Sequence, residues 1–314
     1  MMTERQRARR EEKPKTPLQR LCVITFVLGV FCLHVAEAKE PERPRIYGIQ
    51  GISLASSDVR QAMAFYKTFS KLDVPCLSCG DSPTDTILLA SGQAIHVSSV
   101  PQPAPVDLVL SISFAVDNLE GMKKYLSAKH VEFKESKGPH EEGGPYVSVV
   151  DPEGHSILFV KWQRNVGVKD HTNRIMHSGF VVKDRAGMDR FYKDILGFHV
   201  YWHGGMKDGG TDWVDMQVPD GTDWIEYMLN IPANADKRTL GVMNHFALGV
   251  PNVKAATAQL VKNGVKPPEE PKIGRDGKWQ LNLYDPDETR VELMEFTPAE
   301  RPCCSEYTGN QPKP

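Results

Sequence analysis

One short pattern recurs four times along this chain and limits its fold more than any other feature: an alternating apolar strand, an Asp or Asn in a capping position, then a helical apolar stripe. The first copy runs over residues 49–66, with the strand Gly51-Ile52-Ser53-Leu54, Asp58 as helix cap, and Ala62, Phe65 and Tyr66 on one helical face. The second begins at Ser111-Ile112-Ser113-Phe114 and continues through Leu119, Met122 and Leu126. His177-Ser178-Gly179-Phe180 opens the third, leading into Met188, Phe191, Tyr192 and Leu196. His245-Phe246-Ala247-Leu248 opens the fourth, leading into Ala256 and Leu260. About three further strands, bounded by turn residues, follow each helix.

Matching turns close the second and fourth copies: Asp151-Pro152-Glu153-Gly154 and Asp285-Pro286-Asp287-Glu288. The chain therefore reads as an α+β protein of four βαβββ modules in two pseudo-symmetric halves, 45–162 and 172–298, with 163–171 as linker and 299–314 as an irregular tail.

Residues 1–20 are rich in Arg and Lys and lead into the apolar run Leu21 to Leu33. That run is shorter than the roughly 20 residues needed to span a bilayer. Ala36-Glu37-Ala38 supplies a small-x-small cleavage pattern, so residues 1–38 are expected to be a secretory signal with a long basic region, an uncleaved anchor being the alternative. The mature protein is then exported, periplasmic or extracellular, with no stable membrane insertion after cleavage. The net charge of −2 and the lack of a basic stripe interleaved with aromatics exclude nucleic acid and favour a small-molecule ligand.

Four cysteines lie beyond the signal, as Cys76/Cys79 and Cys303/Cys304. In an oxidising compartment the first pair can close a small disulfide loop, act in redox exchange or be incidental, whereas a zinc ribbon needs a second such pair. The second pair sits in the Pro-rich tail and reads as incidental.

The chemistry-bearing residues that stand out are His177 and His245, each opening an apolar strand, and Glu292. Two imidazoles and a carboxylate from different strands suit a catalytic divalent metal with open positions. An isolated histidine is ordinarily a satisfied core or surface residue, and it is the equivalence of positions between repeats that sets these apart.

Residues 177–184, 191–198, 245–253 and 285–292 resemble the vicinal oxygen chelate superfamily, which includes glyoxalase I, extradiol dioxygenases, methylmalonyl-CoA epimerase and the fosfomycin and bleomycin resistance proteins. The resemblance covers almost the whole chain after the signal and is best in the third and fourth modules. It implies that each half is a curved mixed sheet enclosing a cleft. It also implies metal ligands at the start of the first strand and in the last strand of each module. In the second half those positions hold His177, Glu226, His245 and Glu292; in the first half they hold Gly51, His96, Ser111 and Leu158, of which only His96 binds metals strongly. One divalent ion is thus expected, in the second half only, and zinc, nickel, manganese and iron all accept these donors. Strand alternation puts Trp224, Glu226 and Met228 on one face, where a buried carboxylate without a cation would be costly.

The four-donor set resembles that of glyoxalase I and its epimerase relatives. This implies a metal-dependent lyase or isomerase moving a proton on a small oxygenated substrate, with Glu292 or Glu226 as base. Export argues against the usual glyoxalase I substrate, because glutathione is mainly cytosolic. The alternative enzyme is a non-haem Fe(II) extradiol-type dioxygenase with the facial triad His177, His245 and Glu292. Its paired halves agree, but Asn282 falls where those enzymes carry a tyrosine, and Trp224-Ile225-Glu226 offers no histidine pair. A third reading is a ligand-sequestering protein of the bleomycin-resistance kind, with Trp202, Trp213, Trp224 and Trp279 lining an aromatic cleft or simply packing in the core. Trp224, Asn282 and Tyr284 are the candidate substrate-pocket residues, and both monomer and homodimer remain open.

Overall fold

In the computed structural model, which describes residues 40–72, 85–105, 107–136, 144–161 and 172–314, each repeat begins with a strand that hands over to a capped helix. The expected signal, the linker and the Cys76/Cys79 pair lie outside those residues. Asp58, Asn118, Asp184 and Asn252 each accept a hydrogen bond from the backbone N–H three residues on, at Gln61, Gly121, Gly187 and Ala255. Such a cap satisfies an otherwise orphaned donor of the first turn and contributes about 1 kcal/mol, so it fixes where strand ends and helix starts.

The first half comprises β1 (Ile46–Ser56), α1 (Val59–Ser70), β2 (Thr86–Leu88), β3 (Ala94–Ser99), β4 (Val109–Val116), α2 (Leu119–Ala128), β5 (Lys134–Ser136), β6 (Tyr146–Val150) and β7 (Ser156–Lys161). The second comprises β8 (Arg174–Val181), α3 (Arg185–Asp189), β9 (His199–Gly204), β10 (Trp213–Gln217), β11 (Trp224–Met228), α4 (Lys237–Met243), β12 (His245–Val250), α5 (Val253–Lys262), β13 (Lys272–Ile273), β14 (Trp279–Tyr284) and β15 (Arg290–Glu295). The helix expected over Met188 to Leu196 changes spacing after α3: residues Arg190–Ile195 are π-helical, and both Phe191 and Tyr192 are buried there.

The strands form two curved mixed sheets, ordered β2-β3-β1-β4-β7-β6-β5 and β13-β14-β15-β12-β8-β11-β10-β9. The central pair in each is antiparallel and in the same register: Gly51 faces Ser113 and Ser53 faces Ser111, as His177 faces Ala247 and Gly179 faces His245. A parallel strand flanks each member of the pair, placing His96 beside Ser53 and Leu158 beside Ser113, as Glu226 lies beside Gly179 and Glu292 beside Ala247. The positions equated from the repeats are therefore equivalent in space.

One apolar core runs through both halves, including Tyr66, Phe69 and Phe114 from the first and Phe180, Tyr192 and Phe246 from the second. Each half also reaches into the other's closing turn. Tyr66 on α1 donates to Asp285 Oδ2 at 2.8 Å, and Tyr192 donates to Asp151 Oδ2 at 3.0 Å. Likewise Ser56 and Ser57 donate to Asp287, while the backbone N–H groups of Lys183 and Asp184 donate to Glu153.

The tail has no regular structure but is tied down. Thr308 N bonds to Tyr201 O on β9, Cys303 N bonds to Arg275 O, and Ala299 N bonds to Gly277 O in the turn between β13 and β14. It thereby links the two edge strands' neighbourhoods of the larger sheet. Cys303 and Cys304 form a disulfide with each other. Among the described residues no helix is long and apolar enough to cross a membrane.

Candidate metal centre

The cross-strand register accounts for the site. Opposed residues in a sheet share a face, as do residues two apart, so His177, Gly179, His245 and Ala247 lie on one surface with Glu226 and Glu292 at its flanks. The residues between the donors have to be small. A Cβ at Gly179 would fall 2.2 Å from His245 Cε1, so only glycine leaves room for that ring.

All four side chains converge. The Nε2 atoms of His177 and His245 face each other at 3.1 Å. Glu226 Oε2 lies 3.1 Å from His245 Nε2 and 3.7 Å from His177 Nε2. Glu292 Oε2 lies 3.7 Å from His177 Nε2 and 3.9 Å from His245 Nε2. The tightest trio is His177, Glu226 and His245, whose ligand atoms lie within 4.8 Å of one another. Glu226, the least expected of the four, points inward.

Burial governs the electrostatics here. It pushes both imidazoles well below the usual histidine range, so they are neutral, the form in which they bind metals. His245 Nδ1 lies 2.9 Å from Met243 O, which assigns the ring proton to Nδ1 and leaves the Nε2 lone pair for a ligand. Burial also raises Glu292 to about 8, an effect that Glu226 and Asp276 reinforce and Arg290 and Lys278 oppose. Two neutral imidazoles and two enclosed carboxylates fit a divalent cation, which would remove the cost of burying the carboxylates. Arg290 Nη2 donates to His245 Nε2 at 2.7 Å, so a cation must displace that contact; Asn282 Oδ1, 3.4 Å from Arg290 Nη1, is a second anchor for the guanidinium.

His177, Glu226 and Glu292 line a cleft of about 370 Å³, a size suited to a small molecule. Trp202, Trp213 and Trp224 line it, with Met206, Met228 and Met294. Trp279 does not; its ring lies 3.9 Å beneath Lys254 Nζ. Of the expected pocket residues only Trp224 lines the cleft. Asn282 is covered by Glu269, which accepts from its Nδ2 at 2.7 Å, and by Arg290, while the Tyr284 ring lies under Arg238.

Several charged residues of the site went unread in the sequence. Asp215 lines the cleft directly across from Glu226, and burial holds its carboxyl well above the usual range. Asp276 also lines it and is raised to about 6 by burial. Lys278 is fully buried behind the wall, its amine lowered by burial to about 8. Arg290 carries the one legible signal: it lies two residues before Glu292, hence on the same face. In the first half, His96 is buried with its Nδ1 2.8 Å from Thr86 Oγ1, and no metal-binding group forms there among the described residues. Asp208, Cys303 and Cys304 also converge, but their two sulfurs are bonded to each other.

Residues 173–293 match the family described as the Glyoxalase/Bleomycin resistance protein/Dioxygenase superfamily. Among solved structures, the chain resembles homoprotocatechuate 2,3-dioxygenase from Arthrobacter globiformis, with 17% identity, a TM-score of 0.58, and coverage of 85% of this chain and 86% of that one. A mutant of homoprotocatechuate 2,3-dioxygenase from Brevibacterium fuscum gives 18% identity, a TM-score of 0.57, and coverage of 86% and 75%. An extradiol ring-cleaving dioxygenase from B. fuscum gives 19% identity, a TM-score of 0.56, and coverage of 87% and 76%. At these identities the likeness establishes the fold. No curated protein sequence gives a significant match. The second half of the chain, residues 173–293, thus carries the sequence signature of that superfamily.

Proposed function

We propose that this is a metal-dependent enzyme that moves a proton next to a carbonyl of a small oxygenated substrate, a lyase- or isomerase-type reaction. Glu226 carries this reading, because its carboxylate stands among the donors, 3.1 Å from His245 Nε2. A bound divalent cation supplies a Lewis acid that draws electron density from adjacent substrate oxygens. Glu226 reaches in from the cleft side and is 14% exposed, so it is the carboxylate best placed to take a substrate proton. Glu292 is the more enclosed partner that holds or returns one. Arg290 can donate to an oxygen on which negative charge develops, and Trp202, Trp213 and Trp224 limit the access of water.

The test is exchange of the α-proton of hydroxycarbonyl substrates in deuterated water by metal-loaded protein. Exchange that falls at least about 100-fold in Glu226→Gln, without oxygen consumption, supports the reading. Exchange that persists undiminished in that variant sinks it.

A second reading is an extradiol-type dioxygenase using His177, His245 and Glu292. It is favoured by the overall fold, which aligns over both halves with ring-cleaving dioxygenases. Oxygen uptake with a catechol by iron-loaded protein, lost in His245→Ala, would establish it over the first. We also propose that the enzyme acts after export, on the strength of the basic region, the apolar run and Ala36-Glu37-Ala38. An exported product starting near Lys39 supports this, and a cytosolic product retaining residues 1–38 refutes it.

A further inference from the structure

His177 and His245 are held in different ways. His245 is oriented by the contact of its Nδ1 with Met243 O, the usual device for a metal-binding imidazole. His177 Nδ1 is buried with no hydrogen-bond partner among the described residues, so no such contact there sets the angle of that ring. What lies against it is Trp224, with ring centroids 4.8 Å apart and planes inclined by 33°. Trp224 Nε1 is itself buried without a partner among the described residues, so its orientation too depends on what packs around it.

Beyond Trp224 lies the Lys278 ammonium, 4.9 Å from the indole centroid, 5.2 Å from the Tyr307 ring and 5.7 Å from the Tyr201 ring. The residue is fully buried and its Nζ has no hydrogen-bond partner among the described residues. A desolvated ammonium is attracted to the face of an aromatic ring, most strongly to tryptophan. Tyr307 fixes one side of this cage from the tail, its hydroxyl donating to Asp276 O at 2.8 Å, and Tyr201 packs 5.4 Å from Trp224.

We propose that Lys278 is a positioning residue for the metal centre: its buried ammonium holds Trp224 in place, and Trp224 sets the orientation of His177 in place of the missing Nδ1 hydrogen bond. This rests on the reading of His177 as a metal ligand. The lysine is not a ligand; its charge also favours the ionised form of Glu292, but its orienting effect passes through the indole.

The decisive variant is Lys278→Met, which keeps the length of the side chain and removes the charge. Zinc affinity is measured by competition with a chromophoric chelator on the full chain, alongside the thermal midpoint of the metal-free protein. Positioning predicts a loss of affinity of about 10-fold, as for other residues that orient a ligand. The metal-free midpoint reports the structural cost separately, because the ammonium also offsets the buried carboxylates of Asp215 and Asp276. The sign discriminates: a cation acting only by its charge repels the metal, so its removal would tighten binding. Tighter or unchanged zinc binding in Lys278→Met overturns the proposal. Trp224→Leu reads the same link without touching the lysine and should lose at least as much affinity, with Lys278→Met adding nothing further on that background. An additive loss on that background overturns the proposal. Absence of zinc binding in the native protein overturns the metal-centre reading together with this one, whereas native binding with an unaffected variant overturns this one alone.

Discussion

The two halves share one strand register but differ at the four positions around which each sheet is built. Where the second half has His177, Glu226, His245 and Glu292, the first has Gly51, His96, Ser111 and Leu158. The fold therefore does not depend on the donors. Leu158 is buried, which stabilises by about 1.5–3 kcal/mol. Its counterpart Glu292 is equally buried and raised to about 8, so its ionised form is costly until a cation arrives. The first half shows the scaffold relieved of that cost; the second keeps it, as a site that does chemistry would.

The comparison breaks most sharply on the histidines. His177→Ala or His245→Ala should abolish tight metal binding, because each removes one of two neutral nitrogen donors. His96→Ala, at the position equivalent to Glu226, should leave metal stoichiometry unchanged while lowering stability. Elemental analysis of the purified variants decides it, and metal lost on replacing His96 would mean that the first half also binds an ion.

The closing turns come next. Asp285 and Asp151 are equivalent, each accepting from the backbone of the residues two and four positions on. Burial raises Asp285 to about 6, an effect partly offset by the hydrogen bond from Tyr66. The native state thus holds the Asp285 proton more tightly than the unfolded chain does. Its contribution is fully present below about pH 4 and declines by about 3 kcal/mol as pH rises through 6. Asp285→Asn should remove that decline, seen as a difference between native and variant unfolding free energies from pH 4 to 7. Parallel profiles would show that Asp285 titrates normally.

Much of this was legible because it is local or repeated. Caps, turns and module boundaries follow from residues a few positions apart, and the donor positions follow from comparing modules. Lys278, Asp215 and Asp276 were not legible, because they meet the site only through the curvature of a sheet that brings β10 and the turn before β14 to the same cleft. Asn282 was misread for a related reason: the face of its strand was right, but Glu269 and Arg290 cover it. The role of the tail was missed, since irregular chain carries no periodicity to reveal what it packs on.

Gly179 sharpens the comparison at a single atom. Its counterpart in the first half is Ser53, tolerated because Ser111 rather than histidine stands opposite. Gly179→Ala puts a methyl 2.2 Å from His245 Cε1 and should cost about 1–3 kcal/mol along with metal affinity. Ser53→Gly should cost no more than about 1 kcal/mol, the ordinary penalty of glycine in a strand. Chemical denaturation with and without metal separates the two, and equal effects would deny His245 its special need for space.

The smallest effect tests the paired latches. Tyr66 and Tyr192 occupy equivalent helix positions, and each donates to the turn aspartate of the opposite half, but the aspartates are left differently when the hydroxyl is removed. Asp151 Oδ2 keeps His155 Nδ1 at 2.8 Å. Burial opposes a charge on that ring, but the hydrogen bond and charge of Asp151 prevail and raise its pKa, so the pair survives loss of the tyrosine hydroxyl. At the equivalent place the second half has Thr289, whose backbone serves Asp285 Oδ1 and whose hydroxyl is buried without a partner among the described residues. Asp285 Oδ2 therefore loses the single donor it has among the described residues. Tyr66→Phe should cost about 1–2 kcal/mol, in the range for stranding a buried acceptor, and Tyr192→Phe below about 1 kcal/mol. With no shared partner, the two should add to within about 0.5 kcal/mol in the double variant. Unfolding in urea measures all three, and a larger cost at Tyr192 would mean that His155, not the tyrosine, is the dispensable partner of Asp151.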